Sequence, residues 1–193
     1  GGGGREHAII RALKQNPRVE AIYALPGNAG MEGDAILVPI GAKDIPAQVE
    51  FAKTHGIDFA VVAPDDPLVL GAVDALTEAG IPCFGPKKNA ALIEGSKVFA
   101  KDLMARHHIP TAACRVFTDL NSALSYAETA PLPQVIKADG LALGKGVIIA
   151  ETREDAKKAL HEMMEDKIFG DSGSQVVMEE FLTGPEVSVL AFT

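Results

Sequence analysis

The chain has 193 residues, of which 47% are hydrophobic, and a formal net charge of -8. That is enough apolar material for one large domain or two small ones, and it excludes an intrinsically disordered chain. The negative charge opposes long-range attraction to nucleic acid or to an anionic membrane, so an anion site has to be a local basic pocket on an acidic body, and the expected partner is a small anion.

The first element follows directly from Gly1-Gly2-Gly3-Gly4, which runs into Arg5-Glu6-His7-Ala8-Ile9-Ile10 and reads as a helix start. Such a turn normally follows the first strand of a parallel sheet, so a strand is expected ahead of Gly1; a cloning remnant is the other reading. Strands are predicted over 19–25 and 58–63. Helical periodicity runs over 44–55, through Ile45, Val49, Phe51 and Ala52, and over 67–79, through Val69, Val73 and Leu76. Gly56 and Gly80 sit where helix C-caps belong. Residues 82–85 close this unit and 87–94 connect it to the next. The alternation is that of a doubly wound parallel α/β domain over 1–94.

From residue 95 the pattern becomes that of a small α+β module. A helix from Gly95-Ser96-Lys97 to about His108 precedes a strand over 113–117, a helix over 121–128, a glycine hairpin, a helix over 153–165 and a strand over 175–180. Residues 186–193 read as one more strand with neither turn nor helix behind it. With both ends abrupt, the chain is expected to be an internal segment of a longer protein. Cys83 and Cys114 form no Cys-x-x-Cys pair, which leaves free thiols in a reducing compartment. No apolar run reaches membrane-spanning length and no signal peptide opens the chain, so a cytoplasmic location is expected.

The hairpin, residues 134–150, carries the strongest chemical signal. Val135 and Ile136 lead in, Val147 to Ile149 lead out, and Gly140, Gly144 and Gly146 would let backbone approach an anion while Lys137 and Lys145 supply positive charge. It is not a P-loop. Gly140 and Gly144 are one residue too close, Gly146 takes the hydroxyl position, and β-branched strand formers follow where a helix should begin. An ordinary tight hairpin with solvated lysines stays open on these residues alone.

Other residues add to the pattern. The opening glycines before a helix could hold a phosphate on unsatisfied N–H groups, although Gly-x-Gly-x-x-Gly fails at Glu6 or at His7 and a dinucleotide site is disfavoured. Lys97 and Lys101 are one helical turn apart, the spacing of a solvated face. Lys97, however, falls in the first turn, where the helix dipole opposes a cation unless an anion is near. In Met178-Glu179-Glu180-Phe181-Leu182-Thr183-Gly184-Pro185-Glu186, a kinked connector could offer backbone groups to a base edge and a carboxylate to ribose hydroxyls; solvated strand-end acids are the plain alternative. The five histidines fit no zinc spacing.

Together these segments resemble the ATP-grasp superfamily and, within it, the phosphoribosylamine-glycine ligase family. The resemblance rests on Gly1-Gly-Gly-Gly-Arg-Glu-His-Ala8, Pro26-Gly-Asn-Ala-Gly30, Pro64-Asp-Asp-Pro-Leu68, Phe84-Gly-Pro86, Glu94-Gly-Ser-Lys97, Lys137-Ala-Asp-Gly-Leu-Ala-Leu-Gly-Lys-Gly146 and Glu179-Glu-Phe-Leu182 with Glu186. It implies a pre-ATP-grasp domain over 1–94 and a partial ATP-grasp domain over 95–193, with an α+β lid at about 111–178. It implies ATP and magnesium, with ATP held by Lys97, Lys137, Gly140, Gly144, Lys145, Gly146, Glu179, Glu180, Leu182 and Glu186. Gly2, Gly3, Gly4, Arg5, Glu6, Asn28 and Asp65 would face substrate, Asp65 standing where the family usually has a longer Glu. The implied reaction joins glycine to 5-phosphoribosylamine through a glycyl phosphate, in a monomer or weak homodimer that binds neither nucleic acid nor membrane. The magnesium ligands are expected beyond Thr193, so turnover by this chain alone is not expected. The rival readings are another ATP-grasp carboxylate-amine ligase, a non-catalytic nucleotide-binding module, and a dinucleotide-dependent oxidoreductase.

Overall fold

The computed structural model describes residues 1–142 and 146–191, which fall into two compact units, Gly1–Gly95 and Ser96–Thr193. In the first, α1 (Gly4–Lys14) leads to β1 (Tyr23–Ala24), a 3-10 turn at Ala29–Met31 and β2 (Ile36–Leu37). Then come α2 (Ile45–Thr54), β3 (Ala60–Val61), α3 (Asp65–Leu70), α4 (Ala72–Glu78), β4 (Cys83–Phe84) and α5 (Lys88–Gly95). The strands pair in parallel, β1 with β2 and β3 with β4, which is the α/β pattern expected of this half. The hydrogen-bonded ladders are shorter than predicted, two residues each where 19–25 and 58–63 were expected.

Local chemistry explains most boundaries. Asp44 caps α2 by accepting from the Ala47 N–H at 3.1 Å, and Pro46 sits in the first turn, where its missing N–H costs nothing. Gly56 and Gly80 adopt φ of +59° and +83° just after α2 and α4. The single helix expected over 67–79 is two, because Gly71 takes φ +91° and ends α3 before α4 begins. The connector expected over 87–94 is instead α5, whose Ala91 is buried. One core cluster gathers Ala52, Val62, Ala72, Val73, Leu76 and Ile81, and a smaller one Ile10, Ala24 and Met31.

The second unit contains α6 (Lys97–Arg106), β5 (Cys114–Phe117), α7 (Leu120–Thr129), β6 (Gln134–Ala138), β7 (Val147–Ala150), α8 (Arg153–Leu160), a π-helical turn His161–Glu165, a 3-10 turn Gly170–Ser174 and β8 (Val176–Glu180). Its sheet is antiparallel throughout, in the order β5-β8-β6-β7. Register places Ile136, Ala138, Ala150, Val176 and Met178 on one face, packed with Ala123, Ala127, Ala156 and Leu160 of α7 and α8. The opposite face carries Cys114, Val116, Val135, Lys137, Val147, Ile149, Val177 and Glu179. The strand expected over 186–193 is absent among the described residues: 186–191 have no regular structure and are exposed, with Val189 at 86% and Leu190 at 97%. Strand pattern alone cannot form a ladder, and no described strand pairs with this segment.

Candidate active site

On the sheet face away from α7 and α8, three charged side chains converge. The Glu179 carboxylate is 5% exposed, and its Oε2 accepts a hydrogen bond from Lys137 Nζ at 3.0 Å and forms an ion pair with Lys101 Nζ at 3.2 Å. Lys137 arrives on β6 and Glu179 on β8, where neighbouring register puts them on one face; Lys101 reaches the same oxygen from α6. Lys101 is 11% exposed and also donates to Thr111 Oγ1 at 2.8 Å and to the Ala112 carbonyl at 3.1 Å. The spacing of a solvated face is therefore overridden, since the turn after α6 folds back over this lysine. Glu179 Oε1 is buried with no hydrogen-bond partner among the described residues. Toward β7 the face is apolar and open, with Val147 45% and Ile149 53% exposed. A cationic pair beside a flat apolar edge suits a ligand that is anionic at one end and aromatic at the other.

The start of α6 is latched to the entrance of the hairpin loop. Ser96 caps the helix by accepting from the Phe99 N–H, Asp139 accepts from Ser96 Oγ at 3.1 Å and from the Val98 N–H at 3.2 Å, and Lys97 Nζ donates to the Gly140 carbonyl at 2.6 Å. Gly140 holds φ +90°, and a Cβ there would lie 2.6 Å from Ser172 Oγ. The hairpin ladder continues to Gly146, whose carbonyl accepts from the Ala138 N–H at 2.8 Å, and a Cβ at Gly146 would lie 2.5 Å from that of Ala142. Gly144 and Lys145 lie outside the described residues. Asp139 and Lys101 escaped sequence reasoning. Asp139 sits in the segment that follows Lys137, which was a usable signal, whereas nothing local distinguishes Lys101 from a surface lysine.

The remaining nucleotide candidates are not gathered by the fold to the same degree. Glu180 is exposed, its N–H donates to the Ala113 carbonyl and its Oε1 accepts from the Ala113 N–H at 2.8 Å, so its main chain and its side chain both serve the β5-β8 edge. Leu182 is 64% exposed and Glu186 is exposed, both in irregular chain.

In the first unit the two glycine loops meet. Asn28 Nδ2 donates to the Gly2 carbonyl at 2.7 Å while its Oδ1 accepts from the Gly30 N–H, and a Cβ on Gly2 would lie 2.7 Å from the Gly27 carbonyl oxygen. Gly3 caps α1, and the Glu6 carboxylate accepts from its N–H at 2.5 Å, half of a capping box because glycine has no side chain to return the bond. Gly3, Gly4, Arg5, Glu6 and Asp65 line a cleft of about 610 Å³ together with Pro64, Leu68, Val69 and Glu94. Asn28 and Glu6 thus hold the loops themselves, while Arg5 and Asp65 are exposed toward the cleft with opposite charges. Beside α1, Asp34 receives Lys14 at 3.0 Å and the His7 ring at 3.0 Å, and these hydrogen bonds, His7 first, hold its carboxyl below the usual range.

A parallel α/β unit followed by an antiparallel sheet that presents a lysine-bearing glycine hairpin defines the ATP-grasp class. The crystal structure of phosphoribosylamine-glycine ligase from Thermotoga maritima matches with a TM-score of 0.75 at 31% identity, over 96% of this chain and 43% of that one. The fold alone is shared with N5-carboxyaminoimidazole ribonucleotide synthetase from Thermus thermophilus, at TM-score 0.67 and 21% identity over 94% of this chain and 46% of that one. The N-domain model of phosphoribosylglycinamide synthetase matches residues 1–94 and its ATP-grasp (A) domain model residues 95–193. The chain belongs to the phosphoribosylglycinamide synthetase family. It is 51% identical over 192 residues to the phosphoribosylamine-glycine ligase of Vibrio cholerae serotype O1 and 50% identical over 192 residues to that of Escherichia coli, covering 98% of this chain in each case. It spans about 45% of the length of these curated relatives.

Proposed function

We propose that the chain forms part of an ATP-dependent ligase that joins glycine to 5-phosphoribosylamine, giving glycinamide ribonucleotide, ADP and phosphate in purine biosynthesis in the cytoplasm, by a monomer or weak homodimer. The observation that carries this reading is the row Lys101, Glu179 and Lys137 on the sheet face opposite α7 and α8, beside the family match over both units. ATP would lie with its base toward the connector at Glu180 and Leu182, its ribose at Glu186 and its phosphates toward Lys97, Lys137 and the glycine hairpin. The reaction runs through a glycyl phosphate, formed when the glycine carboxylate attacks the γ-phosphorus and consumed when the amine attacks the acyl carbon and expels phosphate. That intermediate is water-labile, so a loop closing over it protects as well as orients. The chain contributes mainly position and charge neutralisation.

Magnesium, when bound, would supply positive charge against the phosphates of ATP. The described residues of this face do not fit it: the buried carboxylate there is already matched by two ammonium groups, which makes it a poor cation ligand. The chain spans about 45% of the length of its curated relatives, and the metal ligands belong, on this proposal, to the part of the ligase it does not cover. Arg5 and Asp65 in the first-unit cleft offer a cation for the phosphoribosyl phosphate and an anion for an amine.

Calorimetric titration of MgATP into this chain tests the reading. Binding by the parent, lost in Lys137→Ala and weakened in Glu186→Ala with unchanged melting temperature, is the expected result. A folded parent without binding, both alone and when extended past Thr193, overturns it.

A further inference from the structure

The lysine that sequence spacing assigns to solvent is held on three sides. An ammonium group has three N–H donors; Lys101 directs two of them to Thr111 Oγ1 and the Ala112 carbonyl, and holds Glu179 Oε2 in an ion pair at 3.2 Å. Lys137 differs in the respects that matter. It is 26% exposed against 11% for Lys101, and among the described residues its ammonium has the one acceptor, Glu179 Oε2, leaving two donors for another group.

This asymmetry bears on how an anion is captured. If Glu179 were paired with Lys137 alone, turning Lys137 toward a phosphate would strand a carboxylate that is 95% buried without a counter-ion, a heavy cost in a poorly solvated site. A second cation fixed on the same oxygen removes that cost, because Glu179 stays neutralised when Lys137 leaves. We propose that Lys101 is a positioning residue: by holding Glu179 permanently, it frees Lys137 to exchange from the carboxylate to the phosphates of a nucleotide. Lys101 itself touches no substrate. The inference rests on the nucleotide reading of this face, but the exchange can be measured without nucleotide.

Trace acetylation with acetic anhydride, read at Lys137 by mass spectrometry, reports how firmly that amine is engaged. In Lys101→Met, Glu179 pairs with Lys137 alone, so Lys137 should label at least about threefold more slowly; adding Glu179→Gln should restore or exceed the parent rate. Lys101→Gln, which keeps a donor for the Thr111 and Ala112 oxygens, should behave alike and serves if the methionine variant does not fold. A purely structural role for Lys101 predicts the opposite, faster labelling from looser packing. Equal or faster labelling of Lys137 in folded Lys101 variants overturns the proposal. In parallel, MgATP should bind Lys101→Met about tenfold more weakly than the parent, and the Glu179→Gln addition should recover part of that loss. If the labelling behaves as described but neither the parent nor a chain extended past Thr193 binds MgATP, the exchange stands and the nucleotide assignment falls.

Discussion

At the scale of single residues, the positions that matter are those whose backbone or charge leaves no alternative. Gly140 combines φ +90° with a side chain of Ser172 where a Cβ would go. Gly140→Ala should cost about 1–3 kcal/mol of stability, measured by urea unfolding, because an L side chain is strained at that φ. Asp34 makes a second case. Its carboxyl is depressed by the His7 and Lys14 hydrogen bonds, so its contribution to stability is fully present above the ordinary carboxylate range and is lost as pH falls through the folded value. Asp34→Asn should accordingly flatten the fall in melting temperature below about pH 4 while lowering the plateau at neutral pH. An unchanged acid limb in that variant would show that the His7 and Lys14 contacts do not operate in solution.

Among elements, β6 shows most plainly how one strand serves two ends. Ile136 is fully buried against α7 and α8, and its neighbour Lys137 projects from the other face toward Glu179. Ile136→Ala should destabilise the fold by about 2–5 kcal/mol. Lys137→Met should leave the melting temperature nearly unchanged and remove MgATP binding. The hairpin and the caps at Gly56 and Gly80 were legible in the sequence, because turn chemistry is a local signal. What stayed illegible depends on partners distant in sequence. The ladders of β1 and β3 stop after two residues, and β2 was not anticipated. The break at Gly71 was hidden by helical periodicity on both sides. Lys101 looked solvated because nothing near it in sequence announces that Glu179, far along the chain, will sit above it.

For the molecule as a whole, the two units divide the chemistry: a glycine-lined cleft with Arg5 and Asp65 in one, a cationic sheet face in the other. Neither contains among its described residues a cluster of three or more acidic, histidine or cysteine side chains able to hold a metal ion. On the proposal that the metal ligands belong to the part of the ligase not covered here, this chain alone should release no ADP in response to glycine and phosphoribosylamine in a coupled assay, and a longer chain should. Steady ADP release by the 193-residue chain would contradict that division. No helix of the described residues is long and apolar enough to cross a membrane.

The exposed edge formed by Val147 and Ile149 has a practical corollary. An apolar strip running alongside Lys137 is a natural perch for an anionic aromatic fluorophore such as anilinonaphthalene sulfonate. The folded chain should brighten that dye, and MgATP, competing for the same strip and the same charges, should quench it in proportion to occupancy. The protein would thereby furnish its own optical read-out for screening adenine-like compounds, with Ile149→Ser as the dark control.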